Sequence, residues 1–194
     1  MNKLVNWRIF WSIIFSIFLY VGIENSFALW TPLFLVKIRG VSTTIASYYI
    51  SIFWFVMIGG RWFFGKFSYK ANLCHSLIVG AAVGALFIVF TFLSKERSLI
   101  LLFIGCSGLL LSYIYPNIIA LGGNIFPNSI GFVTGILTAS GFAGSVFFPW
   151  LIGPVSQAMG LTKSVLSISL LSIGLTSVLL YFHYFLRRRF ALGD

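Results

Sequence analysis

The sequence predicts an all-α, polytopic membrane protein built from six transmembrane helices. Three observations carry this. Of the 194 residues, 59% are hydrophobic and only 8% are charged, whereas a soluble domain carries roughly 25% charged residues. The mean hydropathy is +1.03, so the chain is neither a soluble enzyme domain nor a disordered segment. Six stretches reach the ~20 apolar residues that a membrane-crossing helix requires.

Taken in order, the first stretch runs from Ile9 to about Val36 and contains Glu24, Asn25 and Pro32. The second spans about 41–64, the third 74–93, the fourth 99–121, the fifth 130–155 and the sixth 164–186. Charge and turn residues separate them: Lys37-Ile38-Arg39-Gly40, Gly65 to Asn72, and Ser94-Lys95-Glu96-Arg97-Ser98. Gly122-Gly123-Asn124 with Pro127-Asn128 follows, then Ser156 to Lys163. None of these connections is long enough to form a soluble domain, so residues 1–194 read as one six-helix domain.

The formal charge of +10 comes from 13 Lys and Arg against 3 acids. These cations sit almost wholly between the apolar runs rather than on a soluble basic face, which argues against nucleic-acid binding and for topology. An even number of crossings places both termini on one side. That side holds Lys3, Arg8, Arg61, Lys66, Lys70, Arg187, Arg188 and Arg189; the other holds Lys37, Arg39, Lys95, Arg97 and Lys163. The excess predicts cytoplasmic termini in a cell (inner or plasma) membrane. Ser26-Phe27-Ala28 has the small-x-small form of a signal-peptide cleavage site, but the apolar pattern continues through Leu33 to Val36, so the segment reads as a retained helix. Cys74 and Cys106 form no disulfide framework, and His75 and His183 are far apart in sequence. No metal site and no cofactor is expected.

Glu24 is the only acid inside a predicted span. A carboxylate at bilayer depth is expensive and by default marks a functional site. Low-dielectric surroundings favour the neutral form of such a carboxyl, and a group that ionises when water reaches it suits proton coupling. Ser16, Tyr20, Glu24, Ala28 and Thr31 fall on one helical face, a polar stripe expected to face the bundle interior. Hydrogen bonding to a neighbouring helix as structural glue is the plainer reading. Tyr113 and Asn117 share a face of the fourth run, where Pro116 frees a backbone carbonyl. In the second run Thr44, Ser47, Ser51 and Trp54 recur at helical spacing, and Trp54 or Trp30 could stack on a sugar or an aromatic ligand. Membrane tryptophans more commonly serve as core or interface belt. Gly80 with Gly84, Gly131 with Gly135, and Gly141 with Gly144 mark close helix contacts. The segment from Gly59 to Lys66 is expected at a cytoplasmic turn, with Arg61 free to reach helix-end carbonyls or anionic lipid.

Tyr20-Val21-Gly22-Ile23-Glu24, then Trp30 and Phe34-Leu35, is similar to the seventh helix of twelve-helix major facilitator superfamily transporters, especially the fucose-permease-like branch. Ser51-Ile52-Phe53-Trp54 leading to Gly60-Arg61 and Gly65 resembles the eighth helix and its loop. Tyr115-Pro116, Ile118, Ala120-Leu121 and Phe126-Pro127 resemble the tenth helix. Gly131, Gly135, Gly141, Gly144, Pro149 and Gly153 resemble the eleventh. The resemblance covers nearly the whole chain in order. It implies the C-terminal half of a transporter of two six-helix halves, although Lys66 to Lys70 contains no acid.

Such a likeness implies alternating access around a midmembrane site, with a small polar, sugar-like solute moved with protons. Glu24, Asn25, Tyr20, Trp54, Tyr113 and Asn117 are the candidates for the solute and proton pathway; Gly60, Arg61 and Gly65 are candidates for the cytoplasmic gate. Expected partners are membrane lipid, the solute, a proton, and either an identical copy or a separate second half. A non-transporting remnant or accessory subunit has the same composition. An intramembrane enzyme would need a catalytic constellation, which one isolated Glu and two distant histidines do not supply.

Overall fold

The computed structural model describes the backbone of residues 3–67 and 73–191 and the side chains of residues 7–65 and 73–187. Of the cations counted above, Lys70 and the side chains of Lys3, Lys66, Arg188 and Arg189 lie outside the described residues. So does most of the acid-free Lys66–Lys70 segment.

Seven α-helices and one short 3-10 turn make up the described chain, with no strand among the described residues. They are α1 (Lys3–Arg39), α2 (Thr43–Phe67), α3 (Leu73–Leu93), α4 (Arg97–Leu111), α5 (Ile114–Ile125), α6 (Ile130–Met159) and α7 (Leu161–Ala191), with the 3-10 turn at Pro127–Ser129. α4 and α5 together make one crossing, so six helical units are long and apolar enough to cross a membrane. The 37 residues of α1 extend ~55 Å, well beyond a ~30 Å hydrocarbon core.

The two tightest reversals use glycine where a side chain would be strained. Gly40 has φ 64° and Gly160 has φ 84°, the left-handed region in which a Cβ is penalised. After Gly40 the Val41 N–H closes the end of α1 on the Leu35 carbonyl at 3.1 Å. At the same end Arg39 donates to the Phe92 carbonyl near the end of α3 at 2.6 Å and lies over the Phe34 ring, satisfying a helix-end carbonyl with a cation.

α1 runs through the middle, packed on α6, α7, α2 and α5, while α4 bridges α2 to α3 and α3 leads on to α7. In lipid the helices gain little from hydrophobic transfer and depend on close packing. Two devices supply it. Phe27, Phe34, Phe53 and Phe92 are fully buried and interlock with ring centroids 5.1–5.6 Å apart, joining α1, α2 and α3. Glycines bring backbones together elsewhere: Gly144 of α6 lies against the Phe18 carbonyl of α1, and Gly141 lies beside Val21. Gly80 of α3 makes room for the Tyr113 hydroxyl. Gly131 and Gly135, by contrast, face open space.

Burial is uneven. In an 18-residue apolar stretch of α1, 61% of residues are buried; in the corresponding stretches of α2 and of residues 127–159, which include α6, the figure is 22%. Tyr48, Phe55 and Trp62 of α2 and Phe132, Phe142 and Val146 of α6 are each more than 60% exposed.

Candidate functional site

The candidate site forms where α1, α2 and the break between α4 and α5 meet. On α1, the stripe Ser16, Tyr20, Glu24 and Thr31 is buried among neighbouring helices. The α4–α5 break starts from Pro116. Without an N–H, proline leaves the carbonyl four residues earlier without its helical partner, and that carbonyl belongs to Ser112. The chain turns at Ser112 and Tyr113, and the Ser112 N–H and hydroxyl both fall back on Leu109 O. The carbonyls at the break are taken up by side chains from other helices. The Tyr20 hydroxyl donates to Leu111 O at 2.8 Å, and Arg61 Nε donates to Ser112 O at 3.3 Å.

Arg61 is also the partner of Glu24. Its Nη2 donates to Glu24 Oε1 at 3.3 Å and lies 3.4 Å from Met57 Sδ. The pair is asymmetric: the Glu24 side chain is 8% exposed and that of Arg61 is 43% exposed. The acid is therefore sealed into the bundle while the guanidinium faces outward along α2. Tyr20, one turn before Glu24, also interacts with its carboxyl. A single arginine thus holds a buried charge and the open end of a broken helix.

Arg61 is not in a turn. α2 continues as helix through Gly59, Gly60 and Gly65 to Phe67, and the two positive-φ glycines described are Gly40 and Gly160. Gly60 serves close approach instead: a Cβ there would overlap the Ser112 side chain. Gly65 has open space around it. The expectation of a turn at Gly59–Lys66 is corrected accordingly, because helix packing rather than chain reversal accounts for Gly60.

The other candidates are placed as follows. Asn25 is half-buried and donates to the Val21 carbonyl at 3.0 Å. Tyr113 is buried, donates to the Ser76 carbonyl at 3.1 Å and packs on Phe64. Asn117 is buried, with its N–H on Tyr113 O. Trp54 lies exposed on α2 with its ring edge against Phe53. Thr44, Ser47, Ser51 and Trp54 form one exposed face of α2 that leads to Arg61. Trp30 is tied to α6, its indole N–H donating to Pro149 O at 3.0 Å.

Sequence reading missed the Glu24–Arg61 pair, although a helix count contains it. Glu24 stands 15 residues before the end of α1 and Arg61 stands 18 after the start of α2. At 1.5 Å per residue these depths are ~22 and ~27 Å, a difference that an arginine stem spans.

This geometry defines a bundle of six helical units long and apolar enough to span a membrane, with a buried acid and its partly exposed arginine at a helix break. A family model for the Major Facilitator Superfamily matches residues 2–149, and the chain belongs to that superfamily. The superfamily is one of membrane transporters. Over 143 residues the chain is 30% identical to major facilitator superfamily domain-containing protein 4A of Danio rerio. That match covers 73% of this chain, and the chain spans about a quarter, 26%, of the relative's length.

Proposed function

We propose that the chain is one six-helix half, the C-terminal one, of a fucose-permease-like transporter that moves a small polar, sugar-like solute by alternating access with protons. The observation that carries this reading is the Glu24–Arg61 pair, with its acid buried and its cation open to the exposed face of α2. Protonating Glu24 cancels its charge and releases a guanidinium donor. That donor can then bind an acceptor oxygen of the solute while Arg61 Nε stays on Ser112 O. Losing the proton returns Arg61 to Glu24 and expels the solute. Proton and solute are thereby linked through one side chain.

Hydroxyls on a lipid-facing helix find no partner in hydrocarbon beyond their own backbone. The exposed face of Thr44, Ser47, Ser51 and Trp54 suits a wetted wall better. Trp54 is the member of this set assigned to stack on the solute. Tyr20, Asn25, Tyr113 and Asn117 stand behind the path and hold its backbone in shape. Gly60, Arg61 and Gly65 belong to the gate at the end of α2. The exposed faces of α2 and α6 are assigned to a second half, either an identical copy or a separate chain, in a plasma membrane with cytoplasmic termini.

The test is uptake of labelled monosaccharides into proteoliposomes under an imposed pH gradient. Accumulation that a protonophore abolishes is the expected result. A protein that stays monomeric in nanodiscs and moves none of the panel is a non-transporting accessory subunit or remnant, and the reading fails.

A further inference from the structure

We infer that the groove between α3 and α7 holds an acyl chain of an anionic phospholipid, with the lipid phosphate bound by His75, His183 and Arg187. This site lies outside the candidate transport path and does not depend on transport. α3 and α7, the third and sixth crossings and so antiparallel, pack against each other but leave a groove of about 250 Å³ between them. Ala82, Ala85 and Val89 line one wall, and Ser169, Ile173 and Ser177 line the other. The three hydroxyls that line it are spent within their own helix, Ser169 on Leu166 O, Thr176 on Ser172 O and Ser177 on Ile173 O. The groove therefore offers hydrocarbon packing and no free hydrogen-bond donor, which suits a methylene chain.

The charge lies at one end of the groove. His75 is seven residues before Ala82 on α3, and His183 is six residues after Ser177 on α7. Both therefore sit ~10 Å beyond the same end of the groove, with Arg187 one turn further out. His75 and Arg187 both act electrostatically on His183. The Nδ1 of His183 is buried with no hydrogen-bond partner. The two acids among the described residues are elsewhere: Glu24 pairs with Arg61, and Glu96 lies at the opposite end of α3. Three basic side chains from two helices, one carrying an unmet ring nitrogen, thus stand over an apolar groove. Basic pockets between transmembrane helices are suited to anionic lipid headgroups, and here the headgroup and the chain find their sites at matching depths.

The test is native mass spectrometry of the full chain in mild detergent, titrated with phosphatidylglycerol or with phosphatidylcholine of the same chain length. Tighter retention of phosphatidylglycerol is expected, and Arg187→Gln reduces that preference about fivefold. Lys163→Gln, at the other end of α7, leaves it unchanged. Wild-type protein exposed to phosphatidylglycerol carrying a diazirine in its acyl chain is labelled within residues 82–89 and 169–177, a readout that needs no variant to fold. Equal retention of the two lipids, equal losses in both variants, or labelling confined to other helices overturns the proposal. So does displacement of the lipid by water-soluble glycerol phosphate, which would reduce the site to a free phosphate site.

Discussion

A carboxylate at membrane depth costs ~2.5–3.5 kcal/mol even on the lenient insertion scale, and Glu24 meets that cost with Arg61 at 3.3 Å. Because Arg61 is partly exposed, the pair is worth less than a sealed one, and removing the cation is the harsher of the two single changes. Arg61→Ala is expected to lower stability by about 1–3 kcal/mol, since it strands a buried charge and the Ser112 carbonyl together. Adding Glu24→Gln to that variant restores part of the loss. Thermal unfolding in detergent of the two single variants and the double variant measures this coupling. Tyr20→Phe leaves the Leu111 carbonyl unmet and costs about 0.5–1.5 kcal/mol in the same measurement. At this scale the sequence was half legible. Glu24 stood out as the lone acid in an apolar run, whereas its partner was hidden by the doublet Gly59-Gly60, which reads as punctuation. Glycine signals a missing Cβ, and a missing Cβ serves a turn or a neighbouring helix equally well; the Ser112 side chain packed against Gly60 decides between the two.

At the scale of the element, the six apolar runs were plain because each is long enough to cross a bilayer and is closed by charge or glycine. The break in the fourth crossing followed from Pro116, and its capping by Tyr20 and Arg61 did not, because those partners are distant in sequence. The glycine pairs separate into two kinds that look identical in sequence. A Cβ at Gly144 meets the backbone carbonyl of Phe18, while one at Gly135 meets nothing within 4 Å. Gly144→Ala is therefore expected to cost about 1–3 kcal/mol by overpacking the contact between α1 and α6. Gly135→Ala is expected to leave the unfolding midpoint of the isolated chain unchanged. A loss at Gly135 equal to that at Gly144 would mean that α6 packs by its other face.

Across the whole molecule, α1 is the axis and α2 and α6 are the faces left uncovered. Which helices stay uncovered was not legible, since Phe55 and Phe142 are as apolar as the buried Phe27 and Phe53. Only the arrangement of neighbours distinguishes an outward phenylalanine from a core one. If two six-helix units meet through these faces, the lipid-corrected mass in nanodiscs is that of a dimer, and Phe142→Arg on α6 shifts it toward the monomer. An unchanged dimer in that variant would move the interface elsewhere.

The coupling assigned to Glu24 is tested most directly by comparing two kinds of transport in reconstituted Glu24→Gln protein: solute counterflow, which needs no net proton movement, and accumulation driven by a pH gradient. With the charge gone but the side-chain shape kept, counterflow is expected to persist while proton-driven accumulation is lost. Accumulation at the wild-type level in Glu24→Gln would contradict the assignment and leave the Glu24–Arg61 pair as a purely structural clamp on the broken helix.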